Sequence, residues 1–333
     1  MASINVTGNA AIVTGGNFEQ DAAALNVGGA LGMSIGGNWT LGVAQTGETK
    51  VMVLPSALSD THLVSDTGSS VKVGGASTIA VGGDLTASGA TLSLGGGGTI
   101  AAGGNVTLQA ASATSTVDSH SSGSDRRGAY ATSLHTSDDA VTGTMLTSGD
   151  SLTLVSGKDL NVIGSGIDLT KGTATLAAGG DVNIGAATET HVSDSYSSGS
   201  HGGFLSSTSK ASTRDTTTTQ ADGSTISADA VTITSGRDLN VKGSTVVGTN
   251  DVSLSAARDV TITTTQDTMQ SSGSYEEHHS GLMGGGGLSV SIGSKKLATT
   301  DEESSVTNNA STIGSLNGNL SISAGNTLHV TGS

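Results

Sequence analysis

Short apolar triplets recur along this chain at a fixed distance, and that recurrence restricts its fold more than any other feature. Val231-Thr232-Ile233 is answered one period on by Val252-Ser253-Leu254, and Leu239 by Val260; both intervals are 21 positions, and Leu160 to Val182 is 22. Within each triplet apolar and polar residues alternate, the period-two pattern of a half-buried strand. Between triplets stand SGKD, AAGGD, SGRD and SAARD, residues that take turn conformations or bond nearby backbone. Inside each period two triplets lie 8 apart, as from Leu152 to Leu160 and Val231 to Leu239, with a weaker strand between coils at 165–169 and 243–247. Three short strands per coil, repeated, define a parallel β-helix, an all-β solenoid. An antiparallel sandwich would need hairpin signals every 8–12 residues and aromatic core anchors, and aromatics are only 2% of this chain. The β-branched, Gly-interrupted text also denies the i, i+3, i+4, i+7 pattern of an amphipathic helix.

A longer period is superposed on the coil. Asn105, Asp181 and Asp259, in GGNVTL, GGDVNI and ARDVTI, are separated by 76 and 78 positions. Leu160, Leu239 and Leu328 are separated by 79 and 89, so the last unit is longer. Each unit is expected to carry the same insert after its second triplet, opening with SSGS at 121–124, 197–200 and 271–274. The inserts hold all three tyrosines (Tyr130, Tyr196, Tyr275), six of the eight histidines, Arg126-Arg127 and Glu276-Glu277. GLSVSIGSKK at 287–296 alternates again, so at least part of each insert is expected to be a hairpin extruded from the solenoid. Residues 1–100 keep the strand-and-turn texture with shorter spacing and are expected to lack the insert. The chain therefore divides near residue 100 into a short-period region and three long units (101–333) of one continuous solenoid.

Composition narrows the function classes. Val, Leu, Ile and Phe make up about a fifth of the residues, at the border between folded and disordered chains, so the periodicity decides for folding. With 13 Lys+Arg against 28 Asp+Glu, the chain lacks the basic face that nucleic-acid binding requires. No run approaches 18 apolar residues, which argues against a transmembrane helix, and MASINVTGNAA lacks the charged and apolar regions of a signal peptide. A soluble chain, or a soluble piece of a longer one, is expected. Zero cysteines exclude a disulfide framework, a thiol metal site and cysteine catalysis together.

Candidate chemistry is sparse. Gly32-Met33-Ser34-Ile35-Gly36 matches the nucleophile-elbow string, which has meaning only between a strand and a helix. Ser69/Lys72 and Ser207/Lys210 are chance pairs in so Ser-rich a chain, and no Gly-x-x-x-x-Gly-Lys-Ser/Thr string occurs. Glu276-Glu277-His278-His279 could ligate a transition metal, but neighbours on a strand point to opposite faces, and a solvated segment is the simpler reading. Asp84, Asp159, Asp181, Asp238 and Asp259 recur once per turn, without the nonapeptide spacing of calcium-binding β-rolls; side chains bonding their own backbone account for them. Carbohydrate-active β-helices are local exceptions to their repeat, whereas these turns are uniform. No enzyme activity, metal or cofactor is expected.

GGDVNI, SGKDLNVIGS, SGRDLNVKGS, SAARDVTI and STIGSLNGNLSISAGNTLHVTGS resemble the haemagglutinin repeats of bacterial two-partner-secretion exoproteins, a family of filamentous adhesins and contact-dependent growth-inhibition effectors. The resemblance covers about 100–333 strongly and 1–100 loosely. It implies a right-handed parallel β-helix, exported unfolded through an outer-membrane transporter partner and folding at the cell surface. Nothing in the chain resembles the family's secretion, receptor-specific or toxin domains, so the resemblance is to the repeat shaft. Two functions follow as expectations. One is a structural shaft of a secreted surface exoprotein used in adhesion or in delivery of a toxin to a neighbouring cell. The other is a binding module in which Tyr130, Tyr196, Phe204, Tyr275, His278 and His279 on the inserts recognise a surface receptor or glycan on a host cell or target bacterium.

Overall fold

The computed structural model describes residues 2–284 and 290–332. Three parallel strands per coil stack into nine coils: two faces are nine-stranded parallel sheets, and the third runs parallel from Phe18–Asp21 to Leu328–Val330. One coil is Thr225–Ala228, Ala230–Ser235 and Leu239–Lys242. Each strand pairs in register with its equivalents above and below, so Leu239 stacks between Val182 and Val260, and Ile233 between Leu176 and Leu254. Alternation sends the outer members of each triplet inward, and Leu160, Val182, Leu239 and Val260 are fully buried. In the first two coils the third face contributes Phe18 and Trp39, stacked with centroids 6.5 Å apart. The Trp39 indole N–H donates to Gln20 at 3.2 Å.

The inserts form a second structure. Four hairpins leave the third face, built from Trp39–Leu54 with Ala57–Gly68, Ala111–Ser124 with Gly128–Thr142, Ala187–Gly202 with Ser206–Asp222, and Thr265–Gly284 with Val290–Asn309. They emerge from every second coil. Two coils rise about 9.6 Å, and a hairpin is two strands, again about 9.6 Å, wide. Successive hairpins therefore meet edge to edge. His62 pairs with Thr116, His201 with Gly128, and Gly281 with Ser206, all antiparallel. The result is one eight-stranded antiparallel sheet, a fin along the solenoid. Its returning strands lengthen from 12 to 15, 17 and 20 residues toward the C-terminal end.

Two expectations are corrected here. Residues 1–100 do contain an insert, the hairpin spanning Val43 to Gly68. It has no SSGS, and its Val51-Met52-Val53-Leu54 reads like a core strand although all four are exposed. The sequence signal was the spacing: Phe18 to Trp39 is one coil, whereas Trp39 and Leu85, also neighbours in the stack, stand 46 positions apart. The recurrent Asp residues, moreover, do not bond their own backbone. Each accepts from the backbone N–H one coil onward: Asp84 from Asn105 (2.6 Å), Asp159 from Asp181 (2.9 Å), Asp181 from Asp238 (3.0 Å) and Asp259 from Thr327 (2.9 Å). The line of carboxylates is offset by Arg237, which reaches Asp159 and Asp181, and by Arg258, which grips Asp238 at 2.6 Å. The Arg258 hydrogen bond holds the Asp238 carboxyl below its ordinary range.

The corner where hairpins depart has its own code. Coils without a hairpin turn there through left-handed Gly89, Gly164 and Gly243, and a Cβ on Gly243 would lie 2.2 Å from the Thr265 side chain, at the root of the next hairpin. The first coil uses Ala22, at φ 47°, in the same place. Where a hairpin returns, a hydroxyl residue follows: Ser69, Thr144, Ser224 and Ser311. Ser224 Oγ bridges the carbonyls of Val162 (2.9 Å) and Gly185 (2.6 Å) and accepts from the Ser165 N–H at 3.1 Å. Thr144 does the same with Ala87, Gln109 and Ala90. Ser224→Ala should therefore orphan buried backbone groups and cost ~1–3 kcal/mol, read as a lowered urea midpoint. Ser224→Thr, which copies position 144, should restore it.

Candidate functional site

The fin carries the side chains singled out in the sequence, and its register decides which of them share a face. Directly paired residues in an antiparallel sheet point the same way, and a one-residue offset reverses them. Tyr130 pairs with Gly123 and Gly199, in a row that continues to Lys210 and Glu277. His279 pairs with Thr208, one same-face row nearer the tip, and Tyr275 with Ser212. These three share one face. Tyr196 pairs with Ser133 and Thr213, and His278 with Ser209, on the opposite face. Phe204 stands at the tip of the third hairpin, fully exposed. The six residues thus divide among two faces and a rim. The 287–296 stretch read as part of a hairpin lies partly outside the described residues; from Val290 onward it is strand.

On the first face Tyr130 rises between two glycines with different surroundings. A Cβ on Gly123 would sit 2.7 Å from the Tyr130 ring, which leans over it, whereas one on Gly199 would meet only the Ala129 carbonyl, at 4.0 Å. The floor at Gly199 is open. Beyond it Lys210 Nζ lies 3.6 Å from Glu277 Oε1, and the Tyr275 hydroxyl donates to Glu277 at 2.8 Å. That hydrogen bond, with Lys210 adding to it, lowers the Glu277 pKa; the same bond raises that of Tyr275. A groove of about 710 Å³ runs from here toward the tips, bordered by Arg127, His201 and Lys210.

The opposite face is acidic. Asp60, Asp118, Asp194 and Asp215 occupy one row across the sheet, with His135 between Asp118 and Asp194. His135 Nδ1 lies 2.6 Å from Asp118, and that bond raises the imidazole pKa. Tyr196 borders a groove of about 340 Å³ beside this row. Glu276 to His279 lie on a strand and alternate in direction, with Glu276 held by Lys296 at 2.6 Å. Among the described residues no three His, Asp or Glu side chains converge to hold a metal ion, and no helix is long and apolar enough to cross a membrane.

A stacked β-helix that grows a continuous lateral sheet defines a repeat shaft, a structure built by periodicity with its side-chain variety confined to inserts. The chain belongs to the family described as Hemagglutinin repeat, whose model matches residues 55–136, 128–277 and 205–333. It is 61% identical over 332 residues to "tRNA nuclease CdiA-2" of Burkholderia pseudomallei (strain 1026b), covering all of this chain and 11% of that protein. It is 35% identical over 192 residues to "16S rRNA endonuclease CdiA" of Enterobacter cloacae, covering 57% of this chain and 6% of that protein. A "Toxin CdiA" of Yersinia pestis is 40% identical over 115 residues, 34% of this chain and 4% of that protein. The chain thus spans about a tenth of the length of the first of these relatives. No solved structure matches it.

Proposed function

We propose that this chain is a shaft segment of a secreted, surface-displayed exoprotein of the contact-dependent toxin-delivery kind, acting by length and rigidity rather than by catalysis. The observation that carries this reading is the uninterrupted stack of nine coils, about 43 Å long at the strand spacing, in a chain that is 61% identical over 332 residues to a relative named a tRNA nuclease. The nuclease activity in the relatives' names belongs to proteins of which this segment matches a small part. Export runs through an outer-membrane transporter partner, with the chain unfolded and the coils closing outside. Thr234 and Ser255 are register partners in adjacent coils, close enough for a disulfide. A cysteine pair at these positions, in the exported full-length protein, should stall secretion in oxidising periplasm and release it with reductant. Equal secretion with the disulfide confirmed closed would remove the unfolded-export step.

The fin supplies a second element: it is the surface through which a receptor or glycan on the opposing cell is met, using Tyr130, Tyr275 and His279 on one face, Tyr196 and His278 on the other, and Phe204 at the rim. The favouring observation is that these side chains are gathered on the one part of the molecule that stands clear of the solenoid. Register fixes the test, since Ser271 pairs with Glu303: replacing 271–303 by a short Gly/Ser turn trims the last hairpin symmetrically. Attachment to target cells should fall while the far-UV signature of the solenoid persists.

A further inference from the structure

The slot over Gly199 has the makings of a ligand site distinct from the flat remainder of the fin. Its floor is bare backbone, because position 199 lacks a side chain and the space above it is empty out to 4.0 Å. One wall is the face of Tyr130 turned away from Gly123, and Tyr130 is 49% exposed. The opposite wall is Lys210, two strands away, so the opening is about 9.6 Å across. That width suits a single pyranose ring edge-on to the sheet, with one apolar face on the aromatic ring. The Thr208 hydroxyl, on the same face as Lys210, lies in the same groove and matches a ligand that carries hydroxyls of its own.

The charge at the mouth narrows the class. Arg127, Lys210 and His201 border the groove in a chain with only 13 Lys and Arg and a formal charge of −15. The carboxylate on that rim, Asp125, is committed to the backbone N–H groups of Arg127 (2.7 Å) and Gly128 (2.9 Å). Its role is to hold the turn that presents Arg127. Lys210 already has Glu277 3.6 Å away, so the cation that a neutral sugar would leave without a counter-charge is Arg127, and a carboxylate is the group a guanidinium binds in paired, charge-assisted hydrogen bonds.

We propose that the slot formed by Tyr130, Gly199 and Lys210, with Arg127 at its mouth, binds a carboxylate-bearing sugar residue of the uronic-acid kind. The ring stacks on Tyr130 above Gly199, and the carboxylate lies toward Lys210 and Arg127. This rests on the reading of the fin as the recognition surface and names its ligand class.

The experiment uses the whole chain and methyl β-D-glucuronide, with methyl β-D-glucoside as the uncharged control, followed by saturation-transfer NMR and titration. The glucuronide should bind and the glucoside should bind at least ~10-fold more weakly, a difference of about 1.4 kcal/mol. Gly199→Val fills the floor at a strand position with room for a side chain, so it should abolish binding with unchanged circular dichroism. Lys210→Gln should weaken the glucuronide alone. Absence of glucuronide binding, equal binding of both sugars, or full binding by the Gly199→Val protein each overturns the proposal. If the slot fails while trimming 271–303 still abolishes cell attachment, the recognition surface stands and only its ligand assignment falls. If the glucuronide binds but neither the Gly199→Val substitution nor trimming 271–303 changes cell attachment, the slot stands and the attachment role falls.

Discussion

Deleting 160–181 from this chain should damage it more than deleting the far longer segment 181–258. Removing 181–258 joins Gly180 to Asp259 within the same turn, and takes away two coils and the third hairpin. The remaining hairpins still leave every second coil. Along the fin the loss is also in register: Gly128, which pairs with His201, would meet His279, the equivalent position after the cut. The expected product is a folded rod shorter by ~10 Å with an unbroken six-stranded fin. Removing 160–181 joins Asp159 to Val182, an equally good turn for the solenoid, and takes away one coil only. The second and third hairpins would then emerge from adjacent coils, ~4.8 Å apart, while each hairpin is ~9.6 Å wide. They cannot share a sheet. One hairpin must be expelled, leaving strand edges open, the state that aggregates. Small-angle scattering and sedimentation decide the matter: a monomeric shortened rod is expected for the larger deletion and aggregated or partly unfolded material for the smaller. A monomeric, well-folded product from the smaller deletion would show that the fin imposes nothing on the solenoid.

The same arithmetic marks how far the sequence could be read without coordinates. The solenoid was readable because its signal is local: Leu239 and Val260 face inward by alternation and repeat at the coil length. The three later hairpins were readable because SSGS flags them, at intervals of 76 and 74 positions. Their joining into a fin was not, since it follows from equality of two widths that no residue encodes. Nor was the sharing of faces among the tyrosines. Tyr196 precedes its SSGS whereas Tyr130 and Tyr275 follow theirs, and with a side-chain period of two the pairing register, not the motif, sends Tyr196 to the far face. The first hairpin was hidden by its own apolar strand, because Val51 to Leu54 look like core until one counts the 46 positions separating the stacked Trp39 and Leu85. The bonding of the Asp residues is hidden for a related reason: a side chain at a turn can bond its own loop or the loop above, and only stacking distinguishes the two.

Leu239→Asp should be the most damaging single substitution in the long units, and its damage should be local before it is global. The side chain is fully buried between Val182 and Val260, with only aliphatic neighbours in the stack. A carboxylate there finds no partner, and an uncompensated buried charge, or its forced protonation, costs about 4–5 kcal/mol. Its neighbour Asn240 is no neutral control, because its amide donates to Asn183 at 2.9 Å in a ladder that Asn183 continues to Asn161; Asn240→Asp breaks that ladder. Thr234→Asp, exposed on the second face, is the suitable comparison and should cost little. Coils contact only their neighbours in a solenoid, so stability is a sum along the axis, and the fin adds coupling only between adjacent hairpins. Trp39, the single tryptophan, is buried in the second coil, five coils from the substitution. In Leu239→Asp the far-UV signal should therefore begin to fall at lower denaturant than the Trp39 emission shift, whereas in the parent the two transitions should lie closer together. Coincident transitions in the mutant would mean that the fin welds the nine coils into one cooperative unit.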